Sequence, residues 1–284
     1  MNGQSGTDTL SYGTATSAVT VDLGAGKGWN GDAQGDVFYG FENVTGGSGS
    51  DRLTGSSLAN LIRGGAGNDG MVGLAGADSL VGGTGIDTVN YSASSSGITL
   101  RLDSATGSEI HAIGSGGDAA GDYVTGVENI IGSNFNDKLG LGFSAGQLFG
   151  LSVNDTLDGS TGKYTIDVGS GNDIVRAGSG NDVIFGGAGN DTISGDFGND
   201  VISGNAGADV FDFTLGLAAG QQDRIKGLED GADLFRFSSA ESGDVTVSNV
   251  ADGAEIAVAV DGGIFSIIVE GFSAAQVSDQ IVFV

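Results

Sequence analysis

Apolar residues recur along much of this chain at intervals of nine. Written in nines from Gly132 to Asp212, and again from Gly46 to Asn90, the sequence gives fourteen nonapeptides approximating GGxGxDxUx, where U is apolar. Their eighth positions are Leu53, Ile62, Met71, Leu80, Val89, Leu139, Leu148, Leu157, Ile166, Val175, Ile184, Ile193, Ile202 and Phe211. With 39% hydrophobic residues in the chain, fourteen such hits by chance have a probability on the order of one in a million. Each xUx triplet reads as a strand of about 10 Å with one inward side chain. Glycine supplies the positive φ angles and close backbone approach that the turns between triplets need.

The sixth position carries chemistry. It reads Asp51, Asn60, Asp69, Asp78 and Asp87 in the first block, and Asp137, Asp155, Asp173, Asp182, Asp191, Asp200 and Asp209 in the second, where Gly146 and Tyr164 interrupt it. A further nonapeptide, Gly3 to Ser11, opens the chain with Gly6 and Asp8 in place. Aspartate offers hard oxygen ligands of the kind calcium takes. The bland reading is that Gly, Asn and Asp punctuate the turns of an ordinary β-sandwich, but strict phasing over nine consecutive nonapeptides argues against it.

These nonapeptides, of which Gly186-Gly187-Ala188-Gly189-Asn190-Asp191-Thr192-Ile193-Ser194 is the clearest copy, resemble the RTX repeat family of calcium-binding, secreted bacterial proteins. The resemblance implies an all-β fold, a right-handed parallel β-roll in which two nonapeptides complete one coil and calcium sits between neighbouring turns. Equivalent residues on one edge of such a roll lie eighteen apart. One column then reads Asp137, Asp155, Asp173, Asp191, Asp209, and the opposite one Gly146, Tyr164, Asp182, Asp200. In the first block Asp51, Asp69 and Asp87 form a column, and Asn60 with Asp78 a weaker step. Together they predict about eight calcium ions.

Composition sharpens this picture. Of 284 residues 56 are glycine and none is proline or cysteine, so neither disulfides nor thiolate zinc sites hold the chain. The 10 basic and 36 acidic residues leave a net charge of −26, which disfavours nucleic acid as a partner. A mean hydropathy of +0.09 is too apolar for a disordered acidic tail. No apolar run reaches the ~18 residues of a membrane span, and no cleaved signal peptide opens the sequence. One inward apolar residue per nonapeptide makes a thin core, so metal is expected to make up the difference. At a dissociation constant near 10⁻⁴ M, tenfold excess calcium adds roughly 1.4 kcal/mol per site.

A longer duplication overlies the repeats. Gly6 to Tyr12 matches Gly85 to Tyr91, Val19 to Leu23 matches Ile98 to Leu102, and Gly35 to Val44 matches Gly121 to Ile130 after an insertion of seven residues. The organisation is therefore read as a first insert module (1–45), a repeat block (46–90), a second insert module (91–131), a longer repeat block (132–212) and a C-terminal cap (213–284). In the cap, alternating strands at Asp244 to Val250, Glu255 to Val260 and Ile264 to Glu270 predict an antiparallel β meander. The ending Ile281-Val282-Phe283-Val284 resembles the uncleaved signal read by type I secretion transporters.

No catalytic residue is assigned. His111 is the only histidine and no serine sits in GxSxG, which removes two-histidine metal sites and the nucleophile elbow. His111, beside Glu109 in the long loop 103–121, reads as a solvated residue, and Trp29, in the matching loop 24–35, as an anchor packed on the roll. Glu42 and Glu128 tempt as a glycosidic pair, but their duplication favours a stacking role. The expected function is a non-enzymatic calcium-binding folding and secretion module, extracellular or at the cell surface. The alternatives are a surface-layer, adhesin or matrix protein that contacts polysaccharide or self-assembles through its long loops, and the tail of a polysaccharide-modifying enzyme.

Overall fold

The computed structural model describes residues 1–102, 111–142, 145–229, 231–238 and 245–284. Glu109, Asp244 and residues 103–110 of the 103–121 loop lie outside these. The chain forms two compact units, Met1–Gly142 and Phe143–Val284. Both are parallel β-rolls, and in both the nonapeptide triplets are the strands.

In the second unit, one parallel stack runs Thr156–Asp158, Ile174–Arg176, Thr192–Ser194 and Val210–Phe213, and the other Gly146–Phe149, Tyr164–Asp167, Val183–Ala188 and Val201–Ala206. Register advances by eighteen residues, with Val175 opposite Ile193 and Ile184 opposite Ile202. The reason is the alternation of three-residue strands and glycine turns, which sends successive nonapeptides to opposite sheets and returns every second one to the same sheet. All fourteen eighth positions are buried. The apolar stripe of each sheet faces the other, so these single side chains form the core.

The parallel ladders continue past Phe213. Gln222–Lys226 pairs with Val201–Ala206, and Leu234–Phe237 with Val210–Phe213, before Gly263–Glu270 and Ile281–Phe283 extend the two stacks. The predicted meander follows: Val245–Val250, Gly253–Val260 and Gly263–Glu270 pair antiparallel in order. Stacked Phe211 and Phe235, with ring centroids 5.4 Å apart, and Phe213 and Phe237, 5.6 Å apart, close the core here with aromatic bulk. Ser273 caps the short helix Ala274–Ser278 with a reciprocal capping box. The last strand, Ile281–Phe283, is thus a structural part of the cap.

In the first unit the two insert modules prove to be coils with lengthened turns. Thr9–Ser11 pairs with Asn43–Thr45 and Ser79–Thr84 with Tyr123–Thr125, at offsets of 34 and 44 residues in place of eighteen. The stretch 24–35, expected as a loop, contains the strand Lys27–Trp29, antiparallel to Thr20–Asp22. Its counterpart His111–Ile113 pairs antiparallel with Tyr123–Thr125. Trp29 faces Thr20 on an outer strand and is 40% exposed, so it is an edge-strand residue and not a buried loop anchor. Among the described residues no helix is long and apolar enough to cross a membrane.

Candidate metal centre

The turn after each strand brings the sixth-position carboxylate inward beneath the neighbouring coil. In the second unit the backbone N–H of Asp155 donates to Asp173 Oδ1 at 2.7 Å, that of Asp173 to Asp191 at 2.9 Å, and that of Asp191 to Asp209 at 2.9 Å. On the opposite edge Tyr164 donates to Asp182, and Asp182 to Asp200, both at 2.8 Å. The first unit repeats the motif from Asp51 to Asp69, from Asp69 to Asp87, and from Asn60 to Asp78. Because the donor is backbone, Tyr164 and Asn60 keep the ladder going. What they lose is an anionic acceptor.

One oxygen of each carboxylate is thereby satisfied. The other differs from residue to residue, and this sorts the candidates. Asp69, Asp78, Asp87, Asp173, Asp182, Asp191, Asp200 and Asp209 are buried, and Oδ2 of each has no hydrogen-bond donor; Oδ2 of the half-buried Asp8 lacks one too. Asp51 is closed, because Val19 and Gly47 donate backbone N–H groups to its two oxygens. Asp137 is closed by Ile98 N–H and by the backbone and hydroxyl of Ser133. Asn60 Oδ1 accepts from Ser56, while its Nδ2 donates to the Glu42 carbonyl. Asp155 is buried in the second unit, at the start of its longer column.

An ionised carboxylate taken out of water without a counter-charge is strongly disfavoured. The carboxyl pKa values respond accordingly. Burial, opposed by the backbone hydrogen bond, pushes Asp173 and Asp191 up to about 6. Burial raises Asp182, Asp209 and Asp87 to about 6 and Asp78 to about 7. Asp200 reaches about 8, through burial first and then the charge of Asp223, with Asp182 and Asp196 adding to it. Without a cation the Asp200 carboxyl holds its proton at neutral pH, and those raised to about 6 take theirs up as the solution turns mildly acidic. Among the described residues no three His, Cys, Asp or Glu side chains converge on one point, so an ion at a ladder step would draw further oxygens from backbone carbonyls.

The glycines keep that space open. A Cβ on Gly186 would stand 2.6 Å from Asp191 Oδ2, and one on Gly189, whose φ is +128°, only 1.7 Å from the Gly171 carbonyl of the preceding coil. Hard oxygen donors, an open carboxylate and carbonyls packed between coils are the donor set of calcium. The residues therefore fit the metal that the repeat implies.

Three ladder members, Asp122, Asp223 and Asp233, are not reached by the nonapeptide spacing, and Glu42 and Glu128 join them on the ladder. Asp78 N–H donates to Asp122, Asp200 N–H to Asp223 and Asp209 N–H to Asp233, each at 2.8–2.9 Å. Glu42 accepts from Asp8 N–H and Glu128 from Asp87 N–H, at 2.9 and 2.8 Å, which is the stacking role their duplication suggested. Each follows the local pattern of an acid, any residue, then a core apolar residue: Asp122-Tyr123-Val124, Asp223-Arg224-Ile225, Asp233-Leu234-Phe235, Glu42-Asn43-Val44 and Glu128-Asn129-Ile130. That triplet was the available signal.

The RTX calcium-binding nonapeptide repeat family model (4 copies) matches residues 36–69, 45–80 and 54–89 in the first unit and 149–184, 167–202 and 185–216 in the second. No curated relative matches the chain. Among solved structures, the chain is similar to a subunit of the Azotobacter vinelandii mannuronan C5-epimerase. Identity is 26% and the TM-score 0.23, over 52% of this chain and 78% of that one. It is also similar to an extracellular lipase from Serratia marcescens, with 16% identity and a TM-score of 0.22, over 88% of this chain and 41% of the lipase. The two ladder-bearing blocks of this chain are RTX calcium-binding nonapeptide repeats, and they make it a calcium-binding β-roll protein.

Proposed function

We propose that the chain is a calcium-triggered folding and secretion module of an extracellular bacterial protein, non-catalytic in itself, taking about eight calcium ions at its ladder steps. The observation that carries this reading is the stack of buried carboxylate oxygens without donors. Where free calcium is scarce, the aspartates either repel one another in an open chain or must take up protons to fold. Where calcium is plentiful it supplies the missing positive charge, and folding follows binding. Export through a type I transporter and an extracellular destination complete the proposal. The two acids most tempting as a catalytic pair, Glu42 and Glu128, are engaged in the ladder.

Far-UV circular dichroism tests the folding claim. The chain is expected to be largely unfolded in EDTA at pH 8 and to gain β-structure cooperatively with calcium, while equal magnesium does little, since magnesium demands octahedral geometry and sheds water reluctantly. Identical spectra in EDTA and millimolar calcium would sink it. A truncation from Ser273, assayed for both properties, tests the export claim: calcium-induced folding of the nonapeptide coils should survive while appearance in the medium is lost. Normal appearance in the medium would remove the signal from this segment.

A further inference from the structure

The ladders end differently, and the difference isolates one residue. Asp122 closes its column with both oxygens served, Oδ1 by Asp78 N–H and Oδ2 by the Tyr91 hydroxyl at 3.0 Å. Asp233 closes another, receiving Asp209 N–H on Oδ1 and Glu229 N–H on Oδ2 at 2.7 Å. Asp223 is as deeply buried, 0% exposed, and Asp200 N–H holds its Oδ1 at 2.8 Å, yet Oδ2 has no donor. Directly above it Asp200 Oδ2 is likewise buried without a donor, and so is Oε1 of Gln221, two residues before Asp223 in the chain. The nearest basic side chain in sequence, Arg224, is engaged with Glu270 at 2.9 Å.

We infer that Asp200 and Asp223 form a divalent-cation site at the junction of the nonapeptide coils and the cap, outside the repeat pattern. The ladders that end at Asp122 and Asp233 are closed by a tyrosine hydroxyl and a backbone N–H; here neither is supplied, and a cation is the partner that neutralises two stacked, buried carboxylates at once. The site lies 23 residues along the chain, between Asp200 in the Gly195–Ser203 nonapeptide and Asp223 on the first strand beyond the repeats. Its occupant would tie docking of the cap to the same ion that folds the coils. This inference rests on the calcium reading of the ladders.

Crystals of the full chain grown in calcium and soaked in terbium test it directly. An anomalous peak about 2.3–2.6 Å from Asp223 Oδ2 is expected. Peaks between Asp173, Asp191 and Asp209 with none at Asp223 would overturn the junction site and leave the calcium reading standing. No peak at any ladder step would overturn both. In solution, equilibrium dialysis should find one ion fewer in Asp223→Asn and an unchanged count in Asp233→Asn; equal counts for wild type and Asp223→Asn would also overturn it.

Discussion

The two edges of the second unit share one core and one ladder, yet they carry charge differently. One edge has an uninterrupted run of aspartates from Asp155 to Asp209 and closes on Asp233. The other begins at the buried Tyr164 and has only Asp182, Asp200 and Asp223. By repeat quality the second edge is the poorer. Asp182 rises to about 6, as Asp173 and Asp191 do, but Asp200 reaches about 8 and Asp223 about 7, because burial is reinforced by neighbouring acids, Asp182 among them. The demand for a cation therefore follows local burial and charge crowding more closely than fidelity to the nonapeptide pattern.

The strongest way to break this contrast is to titrate the calcium-free chain. A carboxyl whose folded pKa lies above its unfolded value, near 3.9, stabilises the fold fully below that unfolded value and loses the contribution as pH rises through the folded one. The folded values run from about 6 at Asp173 and Asp191 to about 8 at Asp200. In EDTA, lowering the pH from 8 to 4 is therefore expected to restore β-structure, with Asp200 taking up its proton first. A circular dichroism signal flat over that range would refute the charge-crowding account. In saturating calcium the shared core should outweigh the edges: Ile184→Ala and Ile193→Ala should each cost about 2–5 kcal/mol in urea melts. A large inequality between them would mean that the two sheets are not equivalent.

Single ladder positions should matter according to their neighbours. Asp191 lies between the open carboxylates of Asp173 and Asp209, whereas Asp78 lies between Asn60 and Asp122, both already supplied with donors. At tenfold calcium excess Asp191→Asn should forfeit roughly 3 kcal/mol, two sites' worth, and Asp78→Asn about half of that or less. Calcium midpoints followed by tryptophan fluorescence or circular dichroism would show the difference, and equal shifts would contradict the column arrangement. Smallest of all, Asp233→Asn should cost about 1 kcal/mol, for one weakened hydrogen bond, without moving the calcium midpoint appreciably.

Much of this was legible in the sequence, because the repeat is a physical rule applied many times. Every apolar eighth position from Leu53 to Phe211 is buried, and steps of eighteen placed Asp173, Asp191 and Asp209 in one column. Counting failed where turns lengthen. Asp122, Asp223 and Asp233 stand 44, 23 and 24 residues from their ladder partners, so a fixed period passes over them. Trp29 was misplaced for a related reason: glycine on both sides suggested a loop, but pairing with Thr20 fixes that segment as an edge strand. Nor could composition separate closed from open carboxylates. Asp51 fits the consensus as well as Asp69 does, and Asp137 keeps the sixth position in a unit that lacks the position-four glycine; the donors around them, Gly47 and Ser133, distinguish their chemistry.

The ladder of the second unit also has a direction. Each sixth-position N–H points to a carboxylate belonging to a later coil, so Asp191 waits on Asp209, and Asp209 on Asp233. A coil joining from the N-terminal side meets an acceptor already in place, while one joining from the C-terminal side must bring its own. In a stack whose stability is a sum of nearest-neighbour terms, every coil thus lends its N–H to the one after it, and the last nonapeptide coil borrows its acceptor from the cap, as Asp209 does from Asp233.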